Sequence, residues 1–204
     1  MGPHGRATVK ADDYVESDEF AIDVSSWVDP WEDSEPIVAE RAMYFDYNGI
    51  EGGHQALGAV DWSTCVFDEA EAGGRPGGAG FHDWYELYFA EGCTGEGFDE
   101  YICLYNPGSM TTPRVALELI DDSGRHETYE YVLPRNGRTT VRVDDLAAGR
   151  NVSARIKVVE GNTTIVAERS MYFDYGDGIR GGSVAPGVPR PALEWHFAEG
   201  YSGL

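Results

Sequence analysis

The feature that most constrains this chain is an internal repeat. IVAERAMYFDYNGIEGG, from Ile37 to Gly53, returns almost unchanged as IVAERSMYFDYGDGIRGG, from Ile165 to Gly182. A run of that length is not a chance match, and self-similarity at a fixed period is the signature of modules stacked along one chain. A second pair, YFAEGCTG from Tyr88 and HFAEGYSG from His196, recurs at another offset. Ile165 lies 128 positions after Ile37, whereas Phe197 lies 108 after Phe89. The excess falls between Asp61 and Trp84, where Gly73 to Gly80 surround Pro76 and read as a flexible insertion. The division that follows is residues 1–60 as the C-terminal part of one repeat, 61–86 as a Gly-rich insertion, 87–190 as a complete repeat, and 191–204 as the start of another. The half repeat is expected to pack on the complete one, to borrow a strand from another copy, or to remain partly disordered, because an incomplete sandwich leaves strand edges and apolar faces uncovered.

Within the complete repeat the hydrophobic period is two, not 3.6. Val115, Leu117 and Leu119 alternate inward in RVALELIDDSG, and Val152, Ala154, Ile156 and Val158 do so in NVSARIKVVEG. EYICLYNPG ends at an Asn-Pro-Gly turn, and Asn136-Gly137 introduces RTTVRVDDL. About seven short strands at roughly ten-residue spacing, with no helix-length amphipathic run, predict an all-β chain. The expected form is an antiparallel immunoglobulin-like β-sandwich in tandem, preferred to a barrel.

Charge narrows the partners. The sequence has 36 Asp plus Glu against 15 Lys plus Arg, a net charge of -21. That sign argues against binding nucleic acid phosphates or anionic membranes. No stretch approaches the roughly 18 apolar residues of a membrane span.

Taken together, FAEG-[CY]-[TS]-G, the EYICLYNPG strand and IVAER-[AS]-MYFDY followed by GIEGGH or GIRGGS resemble a tandem repeat of secreted and cell-surface proteins of actinobacteria and related bacteria, a family of unknown function. The resemblance implies an extracellular setting, a β-rich fold and neighbouring modules in a longer chain. It carries over no catalytic residues and no cofactor.

Several residues invite a chemical reading. Cys93 and Cys103 could pair across a turn in an oxidising compartment, or Cys103 is a small core residue and Cys93 replaces the aromatic found at Tyr201. Asp174 and Asp177 suggest a calcium loop, but only fragments of a calcium signature are present and a structural turn is favoured. Glu40-Arg41 and Glu168-Arg169 recur inside apolar strands. Alternation turns one of each pair toward the interior or an inter-module seam, where the arginine could grip a neighbour's carboxylate, Glu91 or Glu199 in FAEG. The FAEG and IVAER segments are expected to build edge strands and the contacts between copies. Trp84, Tyr85, Tyr88, Phe89, Trp195 and Phe197 form aromatic clusters that either bind a sugar face or bury the junction between modules, and the junction is preferred. No G-x-S-x-G, H-E-x-x-H or phosphate loop occurs.

The expected function is therefore a non-catalytic repeat, a spacer or adhesive element of a bacterial surface protein whose partners are its own neighbouring repeats. The alternative is a module binding cell-wall or host polysaccharide through exposed linker aromatics.

Overall fold

The computed structural model describes residues 7–16, 19–25, 38–58, 86–161, 163–176, 178–189, 193–194 and 196. The chain is all-β and every strand pairing is antiparallel, with only short 3-10 turns at Ala11–Asp13 and Val143–Asp145 among the described residues. Strands β1 (Glu40–Tyr47) and β2 (Ile50–Leu57) form a separate two-stranded hairpin. Asn48 and Gly49 close it, both at positive φ, as a two-residue hairpin turn requires.

The remaining eight strands form two four-stranded sheets. One has the order β10 (Arg180–Pro186), β9 (Val166–Asp174), β4 (Phe98–Asn106), β7 (Gly137–Arg142). The other has the order β3 (Glu86–Phe89), β8 (Val152–Glu160), β5 (Arg114–Asp121), β6 (His126–Val132). One core lies between them. Ile102, Leu104, Val141 and Ala167 come from the first sheet, and Phe89, Val115, Leu117, Leu119, Ala154 and Ile156 from the second. The inward residues are those that period-two alternation selects, because successive side chains of a strand leave opposite faces.

Sequence alternation also sets the corners. Asn106, fully buried at the end of β4, donates from Nδ2 to the carbonyls of Thr111 and Pro134, each at 2.9 Å, and accepts the Gly108 amide on Oδ1 at 2.9 Å. One amide side chain thus satisfies buried backbone groups of two loops, which is how a polar residue is accommodated in a core. Contrary to expectation, the second-copy IVAER segment does not lie at a sheet edge. β9 sits between β10 and β4, while β3, which carries Phe89, is an edge strand.

Candidate functional site

The outward face of the β10-β9-β4-β7 sheet is built by the residues that alternate away from the core. β4 supplies Tyr101, Cys103 and Tyr105, β9 supplies Glu168, Ser170 and Tyr172, β10 supplies Gly182, and β7 supplies Arg138, Thr140 and Arg142. The first-copy hairpin lies on this face, with β2 alongside β10. Its own alternation turns Arg41, Met43, Phe45 and Tyr47 toward the sheet and leaves Glu40, Ala42 and Tyr44 in solvent.

The contact is specific. Arg41 Nη1 is 3.2 Å from Glu168 Oε2. Phe45 meets Tyr172 edge to face, with centroids 5.1 Å apart, and Tyr47 stacks on Tyr172 at 4.2 Å and 15°. The hydroxyls of Tyr47 and Tyr101 are hydrogen-bonded at 2.9 Å. Burial, reinforced by Tyr101, pushes the Tyr47 phenol well above its ordinary pKa. Phe45 reaches the sheet because Gly182 has no side chain, since a Cβ there would stand 2.7 Å from Phe45 Cζ. The preceding segment binds the other half of the face. Arg138 donates to Glu19 at 2.6 Å, and the Tyr105 hydroxyl donates to Asp23 at 2.5 Å; burial, reinforced by Asp23, pushes that phenol up to about 12.

The repeated dipeptides therefore meet each other. Glu168 of the second copy, not Glu91, is the partner of Arg41; Glu199 lies outside the described residues. The equivalent Arg169 is turned the other way, into the module, and is 7% exposed. There its charge acts on Glu100, 1% exposed, whose carboxyl burial pushes up to about 7 despite that opposing charge. Glu40 is exposed opposite Leu57 on the hairpin's rear face, the face that also carries Tyr44 and its cross-strand neighbour Gly53. Tyr44 over Gly53 reproduces Tyr172 over Gly182: an added Cβ would lie 2.9 Å from Tyr44 Cδ1 in one and 3.0 Å from Tyr172 Cδ1 in the other.

The FAEGCTG segment explains itself at the sheet ends. Phe89 anchors it in the core. Gly92 is pressed against both Glu100 carboxylate oxygens and the Val152 carbonyl, each 2.6 Å from where a Cβ would stand. Thr94 is buried, with its hydroxyl donating to the Ala147 carbonyl and accepting the Arg150 amide.

Of the six clustered aromatics, Phe89 and Tyr88 are among the described residues. Phe89 is a core residue, 4% exposed, because its position on β3 faces the second sheet's interior side. Tyr88 donates its hydroxyl to Glu86, and the Arg155 guanidinium, 2.8 Å from Glu86 and aided by Lys157, holds that carboxyl down at about 2. Trp84, Tyr85, Trp195 and Phe197 lie outside the described residues.

The possible Cys93–Cys103 disulfide is not formed. Cys93 and Cys103 are both free thiols. Cys93 forms a bridge with Asn151 at the start of β8, whereas Cys103 lies within β4 on the outward face and accepts a hydrogen bond from Arg138 at 3.1 Å. They belong to different surfaces of the module. Asp174 pairs with Arg180 at 3.0 Å and caps the Gly176 amide at 2.9 Å, the geometry of a turn; Asp177 lies outside the described residues. Among the described residues no group of three His, Cys, Asp or Glu side chains is gathered for a metal.

A feature that sequence reasoning missed is a cleft of about 780 Å³ at the end of the module where the sheets part. Gly92, Cys93, Phe98, Asp122, Phe173 and Tyr175 contribute to its walls. Phe98 and Tyr175 meet edge to face at 5.1 Å, and Phe173 lies 5.3 Å from Tyr175. The nearby acids are partly engaged: Asp121 by Ser123 and Arg150, Asp122 by Asn151 at 2.9 Å.

No family model matches the chain, and no curated protein matches it. Among solved structures it is similar to Thermotoga maritima 1070, at 17% identity over 51% of this chain and 92% of that one, with a TM-score of 0.45. It is also similar to the Anabaena sensory rhodopsin transducer, at 19% identity over 42% of this chain and 93% of that one, with a TM-score of 0.36.

Proposed function

We propose that this chain is a non-catalytic repeat segment of a bacterial extracellular or cell-surface protein, in which tandem immunoglobulin-like β-sandwich modules act as a spacer or adhesive element. The observation that carries this reading is the docking of one repeat copy on the other through Arg41 and Glu168, with Phe45 and Tyr47 packed over Tyr172. Residues repeated in sequence are used where the copies touch, which is the economy expected of a stacked array. The extracellular setting rests on the resemblance of the repeat motifs, and the acidic surface suits a chain that must resist self-association. The two inner pairings, β9 with β4 and β8 with β5, suit a sandwich of this class, with β10 and β7 flanking one pair and β3 and β6 the other.

The test is limited proteolysis of the full chain and of Arg41→Glu, Phe45→Ala. Release of the hairpin with the 86–189 module intact is the expected result; a hairpin equally protected in the variant would count against repeat docking.

A second reading, saccharide binding, moves from the expected linker aromatics to the cleft. Three aromatic rings beside amide and carboxylate groups match the way sugar faces are held. A glycan and peptidoglycan screen of the wild type against Tyr175→Ala decides it: binding lost in the variant supports the reading, and no binding to any glycan removes it.

A further inference from the structure

The hairpin is joined to the module in a way that permits exchange between chains. Its two strands form a sheet of their own, and their backbone ladder does not continue into β10. Docking is through side chains: an ion pair, stacked and edge-on rings, one tyrosine pair and the close approach at Gly182. An isolated two-stranded hairpin is marginal in water and needs a surface to cover its apolar row. That row is designed to be covered by a sheet. In the second copy the equivalent Arg169, Met171 and Phe173 turn toward the opposite sheet of the module, whereas in the first copy Arg41, Met43 and Phe45 find the outward face of another copy.

Nothing in the connection requires that face to belong to the same chain. Residues 58–85, 28 in number, separate Leu57 from Glu86. A segment of that length spans up to about 90 Å when extended, several times the width of a sheet. The choice between the chain's own module and a neighbour's is then set by effective concentration, which falls with linker length from the roughly millimolar values of short linkers.

We propose that the outward face of the β10-β9-β4-β7 sheet accepts hairpin β1-β2 from a second copy of this chain, so that chains associate by exchanging hairpins. The inference rests on the repeat-docking reading above and adds the partner. The faces are complementary in charge as well as shape, Arg41 meeting Glu168 across a contact otherwise aromatic.

Two full-length variants test it by complementation. Arg41→Glu with Phe45→Ala has a defective hairpin and an open face; Gly182→Val has an intact hairpin and a blocked face, because the new side chain occupies the place of the Phe45 ring. Each alone is expected to be monomeric by light scattering, and their mixture at about 100 µM, well below the tether's effective concentration, is expected to form a one-to-one heterodimer. A mixture that stays monomeric, with both modules melting as in the wild type, overturns the proposal. If that happens while proteolysis still shows docking in the wild type, exchange is wrong and docking stands. If the hairpin is equally protected in the Arg41→Glu, Phe45→Ala variant, the docking reading fails first. Should either variant lose the module's cooperative melt, wild-type chain refolded at about 1 mM gives the answer: a dimer that survives dilution supports exchange, and monomer alone overturns it.

Discussion

Arg41 of the first repeat copy and Glu168 of the second are paired at 3.2 Å, so each copy contributes one half of the same Glu-Arg dipeptide to a shared ion pair. Both side chains are about one-third exposed or less, and neither is deeply buried. Coupling between Arg41→Ala and Glu168→Ala in a double-mutant cycle is expected to be about 0.5–1 kcal/mol, the range of partly exposed pairs. Urea unfolding followed at the hairpin measures it, and a coupling of zero would leave the aromatic residues as the whole of the interface.

The buried carboxyl of Glu100 predicts a module that loses stability as pH rises. Its ordinary value of 4.5 is pushed up to about 7 by burial, against the charge of Arg169. The folded state thus holds a proton that the unfolded chain has released. The stabilisation is complete below about 4.5 and is lost as pH climbs through about 7, amounting to about 3 kcal/mol. Glu100→Gln should flatten the dependence of the module's urea midpoint between these values; an unchanged slope would assign it to other groups.

His54, on the docked side of the hairpin, predicts the opposite sign at a different place. Burial, aided by Arg41 and opposed by Glu168, lowers its pKa below 6.5, and both ring nitrogens are buried without a hydrogen-bond partner. The neutral ring's contribution is present above 6.5 and is lost as pH falls through the lowered value. Acidification should release the hairpin while leaving the module folded. The second copy has serine at the equivalent Ser183, so His54→Ser should abolish the effect in proteolysis at pH 5; release that persists in the variant would exclude this histidine.

Asn106 predicts a large local cost for a small change. Asn106→Ala leaves the Thr111 and Pro134 carbonyls and the Gly108 amide without their partner. Stranding buried polar groups costs about 1–3 kcal/mol each before relaxation and water entry, so a loss of about 2–4 kcal/mol in urea unfolding is expected. A loss under about 1 kcal/mol would mean that solvent replaces the side chain freely.

The strands were legible because two-residue alternation is a local property: Val115, Leu117 and Leu119 follow from spacing alone, and all are buried. The importance of Glu40-Arg41 was legible from repetition, but not its partner. Alternation tells which side a residue faces and is silent about what stands opposite. The sequence leaves Phe89 and Tyr88 together, as sugar-binding or junction aromatics, because β3 is only four residues long, too short to show which of them faces the core. The Cys93–Cys103 pairing followed proximity in sequence, whereas one residue leads into the β8 bridge and the other has crossed to the outward face. The cleft could not be read at all, since its walls come from segments separated along the chain.

Tyr44 stands 85% exposed over Gly53, in the arrangement that Tyr172 and Gly182 present to the docked hairpin. The two copies thus differ: the Tyr172–Gly182 pair of the second is covered by the hairpin, and the Tyr44–Gly53 pair of the first is open to solvent. An added side chain at Gly182 therefore strikes the docked Phe45 ring, whereas one at Gly53 meets only its own hairpin, at Tyr44 and the Met43 carbonyl, and should leave docking intact.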